Sequence, residues 1–345
     1  MGHMIALNFE DGVTRFIEAS DGETIADAAY RQRINIPLDC RDGACGTCKC
    51  RVESGSFDPG SYIDEALTED EAASGLALAC QARPKSGMVV GIAASSDVCK
   101  TAARTLAGRL ATVERLSPTS IAFAVDLDAP LAFLPGQYVN LTVPGTEERR
   151  SYSFSSPAGA SRVSFLVRDI PRGVMSTWLR EQAAPGTAMA LAGPSGSFYL
   201  RDVTRPVLFL AGGTGLAPFL SMLARLATTG AAQPVHLVYG VTNDADLVGL
   251  AALEEFAARL PAFTFATCVA DPGSAHPRKG YVTDHLTPAQ LHGGALDVYL
   301  CGPPAMVEAV RGWLAAQGIA PANFYYEKFS PSGAVTAIGE RHGAA

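Results

Sequence analysis

The sequence predicts a multidomain chain made of three unlike parts: a small module wrapped around a cysteine loop, a closed antiparallel β-barrel, and a parallel α/β sheet with helices on both faces. Three observations predict it. Cys40, Cys45 and Cys48 crowd one short stretch, and Cys80 follows on a separate segment. Six short apolar runs between residues 107 and 192 are punctuated by Gly, Pro and Ser. From Arg205 onward, β-branched runs alternate with helical ones.

The elements follow in order. Ile5–Phe9 and Thr14–Glu18 read as strands around an Asp11-Gly12 turn, and Asp21 is a candidate cap for a helix running to about Arg33. The cysteine loop comes next, and Cys48–Glu53 alternates like a strand. The barrel strands are expected at Ala107–Glu114, Ile121–Leu127, Tyr138–Val143, Ser151–Ser155, Val163–Arg168 and Ala188–Ala192, with one helix at Val174–Gln182. The α/β part reads as strands at Val207–Ala211, His236–Tyr239, Thr264–Val269, Val298–Cys301 and Phe324–Phe329. Helices fall between them at Ala217–Ala227, Leu250–Arg259 and Ala305–Gln317. The expected domains are 1–97, 107–204 and 205–329, with a linker at 98–106 and a disordered Gly/Ala-rich tail at 330–345.

The net charge of −7 is uneven. Residues 1–100 hold 16 Asp+Glu against 9 Lys+Arg, and the remainder holds 18 of each. An acidic module argues against nucleic acid, whose phosphates need Lys and Arg. It suits docking to a basic protein face, although a plain solvated surface would look the same. Met1-Gly2-His3-Met4 reads as a cloning remnant ahead of a natural start at Met4. The most apolar stretch, 206–227, contains Gly212, Gly213, Gly215 and Pro218 and so reads as strand, loop and helix rather than a membrane span. Clustered cysteines without an export signal point to metal ligation in a reducing cytoplasm.

C-x4-C-x2-C with a distant fourth cysteine is the plant-type [2Fe-2S] arrangement, so Cys40, Cys45, Cys48 and Cys80 are the candidate ligands. Sulfide-bridged iron prefers thiolate sulfur. Gly43 and Gly46 let the backbone pass close to the cluster and donate N–H groups to sulfur. Structural zinc would want a second short knuckle, which Cys80 alone does not supply. Cys50 is read as a buried thiol, as are Cys99 and Cys268.

On the barrel, Arg150-Ser151-Tyr152-Ser153 alternates across one strand. An Arg suits a pyrophosphate, a Tyr packs along a ring and a Ser reaches a flavin nitrogen. Val167 lies on a later strand. Gly173, Met175, Ser176 and Thr177 open the one helix, where a Gly and two hydroxyls make an anion site suited to the FAD diphosphate. In the α/β part, Gly212-Gly213-Thr214-Gly215 with Pro218 joins strand to helix, and so does Cys301-Gly302-Pro303 with Met306. Both turns lie where a parallel sheet binds a dinucleotide, with Cys301 near the nicotinamide. The segment 240–246 carries no base and two acids, which favours NADH, with Asp244 or Asp246 at the ribose.

These motifs, in this order, resemble the ferredoxin–NAD reductases of class IB ring-hydroxylating dioxygenases, above all the benzoate, toluate and anthranilate electron-transfer components. The stretches that carry the resemblance include 9–16, 94–101, 150–156, 196–203, 298–303 and 326–329. It implies a β-grasp [2Fe-2S] ferredoxin domain, an antiparallel Greek-key FAD barrel and an α/β NAD domain. It also implies a separate Rieske oxygenase as partner and NADH as hydride donor, with electrons leaving singly through the cluster. Phe329 matches the family's C-terminal aromatic beside the flavin ring, Glu327 is a further cofactor-binding candidate, and Ser153, Cys301 and Phe329 would act at the reacting atoms. A reductase of another oxygenase, such as a di-iron monooxygenase, would share the domain order. A non-catalytic redox sensor would have no need of the dinucleotide turns.

Overall fold

The computed structural model describes residues 2–38, 41–100 and 104–329. Cys40, the centre of the expected linker and the expected disordered tail lie outside the described residues. The chain divides into two compact units on either side of residue 103.

The first unit is a mixed sheet with a helix across it. Strands β1 (His3–Phe9) and β2 (Thr14–Ala19) form a hairpin, followed by helix α1 (Ile25–Arg31). Then come β3 (Lys49–Ser54), β4 (Phe57–Asp58), helix α2 (Glu69–Ala73), β5 (Leu76–Leu78), β6 (Arg83–Pro84), β7 (Met88–Ile92) and helix α3 (Ser96–Lys100). The five-stranded order is β2-β1-β7-β3-β5, while β4 and β6 pair separately. Only β1 and β7 run parallel. Helix α1 buries Ile25, Ala26, Ala28 and Ala29 in one core with Ile5, Leu7, Ile17 and Val90, the β-grasp arrangement. Its cap is Thr24, whose hydroxyl accepts from Asp27 N–H at 3.2 Å, and not Asp21. Asp21 lies four residues before Ile25, too early to reach the free N–H groups of the first turn.

The second unit begins with β8 (Arg104–Ser117) and β9 (Ser120–Leu127), a hairpin. After it come β10 (Tyr138–Thr142), β11 (Arg149–Ser153), β12 (Arg162–Arg168), helix α4 (Val174–Glu181) and β13 (Ala188–Ser195). The order is β11-β10-β13-β8-β9-β12 and every pairing is antiparallel, which gives Greek-key crossovers. An antiparallel bridge from Phe154 to Phe165 joins the two ends of the sheet and closes the barrel. Register shifts near Leu110 and Tyr138 supply the local bends that closure requires. Phe123, Phe133, Phe154 and Phe165 fill the interior, with Phe133 and Phe154 stacked at 4.0 Å.

The same unit continues as a five-stranded parallel sheet. Its strands are β14 (Val207–Gly212), β15 (Val235–Val241), β16 (Phe263–Val269), β17 (Asp297–Gly302) and β18 (Asn323–Lys328). Helices α5 (Leu216–Thr229), α6 (Leu250–Arg259), α7 (Pro288–Leu291) and α8 (Pro304–Ala316) connect them. The order β16-β15-β14-β17-β18 reverses direction between β14 and β17. Two apolar cores hold the sheet, one containing Phe209, Phe219 and Tyr239, the other Leu208, Val238 and Val310. No helix among the described residues is long and apolar enough to cross a membrane.

Candidate active site and metal centre

The cysteine loop gets its shape from contacts with the segment that follows it. Gly43 and Gly46 have φ of +82° and +73°, a region L side chains rarely adopt. A Cβ at Gly43 would stand 2.5 Å from the Ser61 carbonyl oxygen, and one at Gly46 would stand 2.8 Å from that of Ala66. Ile63 N–H donates to the Gly43 carbonyl at 3.2 Å. Cys48 and Cys80 are buried with their sulfurs 3.2 Å apart, and Cys45 lies in the same loop at the edge of solvent. Two buried cysteine sulfurs this close, with a third cysteine in the same loop, fit the soft ligand set of an iron–sulfur cluster. Gln81, which sequence reasoning passed over, ties the site together. Its amide donates to the Arg41 carbonyl at 3.0 Å and reaches the Cys80 sulfur at 3.9 Å. Cys50 is buried, its thiol donates to the Ala77 carbonyl at 3.5 Å, and burial pushes its pKa far up. It is an inert core thiol.

In the second unit, two glycine turns meet at the carboxyl ends of β14 and β17, beside the point where strand order reverses. A Cβ on Gly215 would lie 2.2 Å from the Cys301 carbonyl oxygen, so the turns are in direct backbone contact. Gly212 and Gly302 are each pressed on the Met306 sulfur, where a Cβ would sit 2.5 and 2.8 Å away. Gly213 differs. Its φ is +55° and a Cβ would meet nothing within 4 Å, so bare backbone faces open space. Thr214 is buried, and buried Pro218 sits in the first turn of α5, where a missing N–H costs nothing. Pro303 caps α8.

Barrel and sheet meet in a polar contact that no local motif announces. The buried Ser153 hydroxyl, at the end of β11, donates to Glu327 Oε2 on β18 at 2.8 Å. Cys301, register neighbour of Glu327, points its thiol at the same oxygen from 3.9 Å. Burial, and then the Glu327 carboxylate, push the Cys301 thiol well above its ordinary pKa, so it stays protonated. One carboxylate thus gathers Ser153 and Cys301. Phe329 follows β18, packs against the sheet core and donates its N–H to the Gly302 carbonyl at 2.9 Å.

The other expected flavin residues divide. Arg150 and Tyr152 share one side of β11 as the alternation requires, and Ser151 donates to Asn140 Oδ1 at 2.7 Å. Arg150 is paired with Glu148. Tyr152 packs edge-on against Phe123, and burial raises its pKa. Val167 and Met175 are buried in the barrel core. Gly173 precedes α4 with no side-chain cap, so the first-turn N–H groups of that helix are its available donors. The hydroxyls expected to join them are engaged nearby. Ser176 accepts from Ile170 N–H at 3.1 Å, and Thr177 accepts from Arg180 at 3.2 Å. Asp246 is likewise committed: it is buried and accepts from Thr119, Ser117 and Asn243. Asp244 is exposed and accepts from Ser274 at 2.6 Å. His236 lies on β15 between Thr264 and Gln290, and burial lowers its pKa.

Three family models cover these parts. Residues 8–85 match the 2Fe-2S iron-sulfur cluster binding domain, residues 107–199 the oxidoreductase FAD-binding domain, and residues 209–312 the oxidoreductase NAD-binding domain. The toluate 1,2-dioxygenase electron transfer component of Pseudomonas putida is 56% identical over 96% of this chain and 100% of its own length. The chain belongs to the electron transfer components of aromatic 1,2-dioxygenases. Another relative, the 2-halobenzoate 1,2-dioxygenase electron transfer component of Burkholderia cepacia, is 52% identical over 96% of this chain and 99% of its own. The crystal structure of an Amycolatopsis cytochrome P450 reductase superposes with a TM-score of 0.71 at 34% identity, covering 95% of this chain and 99% of that one. This electron transfer component is therefore an oxidoreductase whose cofactors are a [2Fe-2S] cluster, FAD and NAD.

Proposed function

We propose that this electron transfer component takes electrons from NADH in the cytoplasm and delivers them to a Rieske oxygenase that dihydroxylates an aromatic carboxylate. The observation that carries the reading is the convergence of Ser153, Cys301 and Glu327 where the barrel meets the strand ends of the dinucleotide sheet. When bound, FAD converts a two-electron donor into single electrons for the cluster, chemistry that no side chain performs. The chain's own residues bind and orient. The open backbone at Gly213 and the start of α5 receive the dinucleotide phosphates. Asp244 accepts from ribose hydroxyls and repels a 2′-phosphate, which favours NADH. The N–H groups of the first turn of α4 hold the FAD diphosphate, with Arg150 exchanging Glu148 for it. Glu327 fixes the Ser153 hydroxyl and keeps the Cys301 thiol neutral, and Phe329, just beyond β18, would lie beside the flavin ring. Cys40 completes the cluster ligands with Cys45, Cys48 and Cys80.

The oxygenase docks on the acidic face of the ferredoxin unit. Glu65, Glu69 and Asp70 are exposed, and they belong to the stretch whose 61–66 backbone packs against the cysteine loop. Anaerobic titration of the purified protein with NADH tests the core of the reading. Bleaching of flavin absorbance and a rhombic [2Fe-2S] EPR signal are expected together, and absence of either overturns it. Replacing Glu65, Glu69 and Asp70 by Gln, Gln and Asn should weaken reduction of an aromatic-carboxylate Rieske oxygenase at low salt and leave ferricyanide reduction intact. Unchanged oxygenase kinetics would return the acidic face to ordinary solvated surface.

A further inference from the structure

The turn between β8 and β9 is held from three directions. Arg115 donates to the Ser117 carbonyl at 3.2 Å and to the Pro118 carbonyl at 2.7 Å. Asp169, at the end of β12, donates its N–H to the Thr119 carbonyl at 2.7 Å, and its buried carboxylate pairs with both Arg115 and Arg180 of α4. From the sheet side, the buried Asp246 carboxylate accepts from the hydroxyl of Thr119 and, at 3.4 Å, from that of Ser117. Its other oxygen accepts from Asn243 at 3.1 Å, and its carbonyl accepts from the Tyr239 hydroxyl at 3.2 Å. Asp244 belongs to the same single turn of helix, Asp244–Asp246, so whatever fixes Asp246 also fixes Asp244.

A buried carboxylate without donors is costly, and this one takes most of its donors from the barrel. The barrel turn therefore sets the position of a sheet loop more than a hundred residues away in sequence, as the Thr119–Asp246 separation of 127 shows. Through Asp169 and Arg180 the same turn reaches the helix assigned to the FAD diphosphate.

We propose that Ser117 and Thr119 are positioning residues for the dinucleotide: acting through Asp246, they hold Asp244 where it receives the adenosine ribose of NADH. The inference rests on the reading of Asp244 as the ribose residue. Barrel hydroxyls thereby set NADH affinity without touching NADH.

Steady-state NADH:ferricyanide kinetics on the flavin-loaded full chain test it. Thr119→Val keeps the side-chain shape and removes the donor. It should raise KM for NADH by about fivefold to tenfold, the scale of one lost hydrogen bond to a charged group, with kcat changed less than twofold. Thr119→Ser should restore KM to within about twofold, a rescue that a purely packing role would not give. If Thr119→Val fails to hold flavin, Asp246→Asn carries the same expectation. Asp244→Ala separates the two layers of the argument. A raised KM in Asp244→Ala with an unchanged KM in Thr119→Val overturns the positioning role and keeps the ribose reading. An unchanged KM in Asp244→Ala overturns the ribose reading, and the proposal with it.

Discussion

The cysteine loop and the Ser153–Glu327–Cys301 contact both hold reactive groups in confined surroundings, but they are built in opposite ways. The loop is organised chiefly by near neighbours. Gly43 and Gly46 take left-handed conformations, the 61–66 backbone fills the space beside them, and Gln81 braces the loop from next to Cys80. The second site has no such scaffold. It exists because one carboxylate on β18 reaches a hydroxyl on β11 and a thiol on β17, across sequence separations of 174 and 26. A loop of the first kind stands or falls with each ligand. A site of the second kind should degrade by steps, because each partner keeps its own strand when another is lost.

The sharpest way to break that contrast is to remove one member of each. Cys80→Ser should abolish the EPR signal and cytochrome c reduction while NADH:ferricyanide reduction continues. Retention of a full cluster signal would show that the loop tolerates gaps. Glu327→Gln should slow flavin reduction by NADH roughly tenfold or more in stopped flow, the scale of a lost charge-assisted hydrogen bond, with flavin and cluster contents unchanged. A rate equal to wild type would remove Glu327 from the site.

The glycine turns offer a comparison within the second unit. Gly215→Ala drives a Cβ into the Cys301 carbonyl and should cost about 1–3 kcal/mol, seen as a lower Tm and weaker NADH binding. Gly213→Ala meets open space and pays only for its positive φ, about 1 kcal/mol. Equal losses would mean that contact between the turns is not what demands glycine. The smallest effect belongs to the ferredoxin helix. Arg31, hydrogen-bonded to Glu23, holds that carboxyl down to about 2. The stability it adds is complete above the ordinary value of 4.5 and is lost as pH falls toward 2. Glu23→Gln should flatten that acid-range slope by about 0.5 kcal/mol, since the pair is screened by solvent. An unaltered slope in acid denaturation would assign no stability to the pair.

What could be read in advance follows the same division. Thiolate spacing, the glycine turns and the strand–helix alternation are local, so the cysteine loop and the two glycine turns that meet at the ends of β14 and β17 could be singled out from sequence alone. β7 was not anticipated: Met88–Ile92 is a short apolar run containing Gly91, and it becomes a central strand only through pairing with β1 and β3. The cap of α1 moved from Asp21 to Thr24 because both residue types cap well and only the helix start decides between them. Asp244 and Asp246 were indistinguishable until Thr119, distant in sequence, was seen to engage one of them. Ser176 offered an anion-site hydroxyl that the structure turns toward Ile170.

The Ser153–Glu327 bond also fixes an order of assembly. The barrel strands are complete long before β18 leaves the ribosome, and chains fold their N-terminal parts first. A contact of such long sequence range must await its far partner. During synthesis the barrel strands therefore form while the Ser153 hydroxyl still lacks its carboxylate partner, which arrives only with β18. A ribosome-stalled chain ending before β18 would have its barrel strands yet leave the Ser153 hydroxyl without that acceptor.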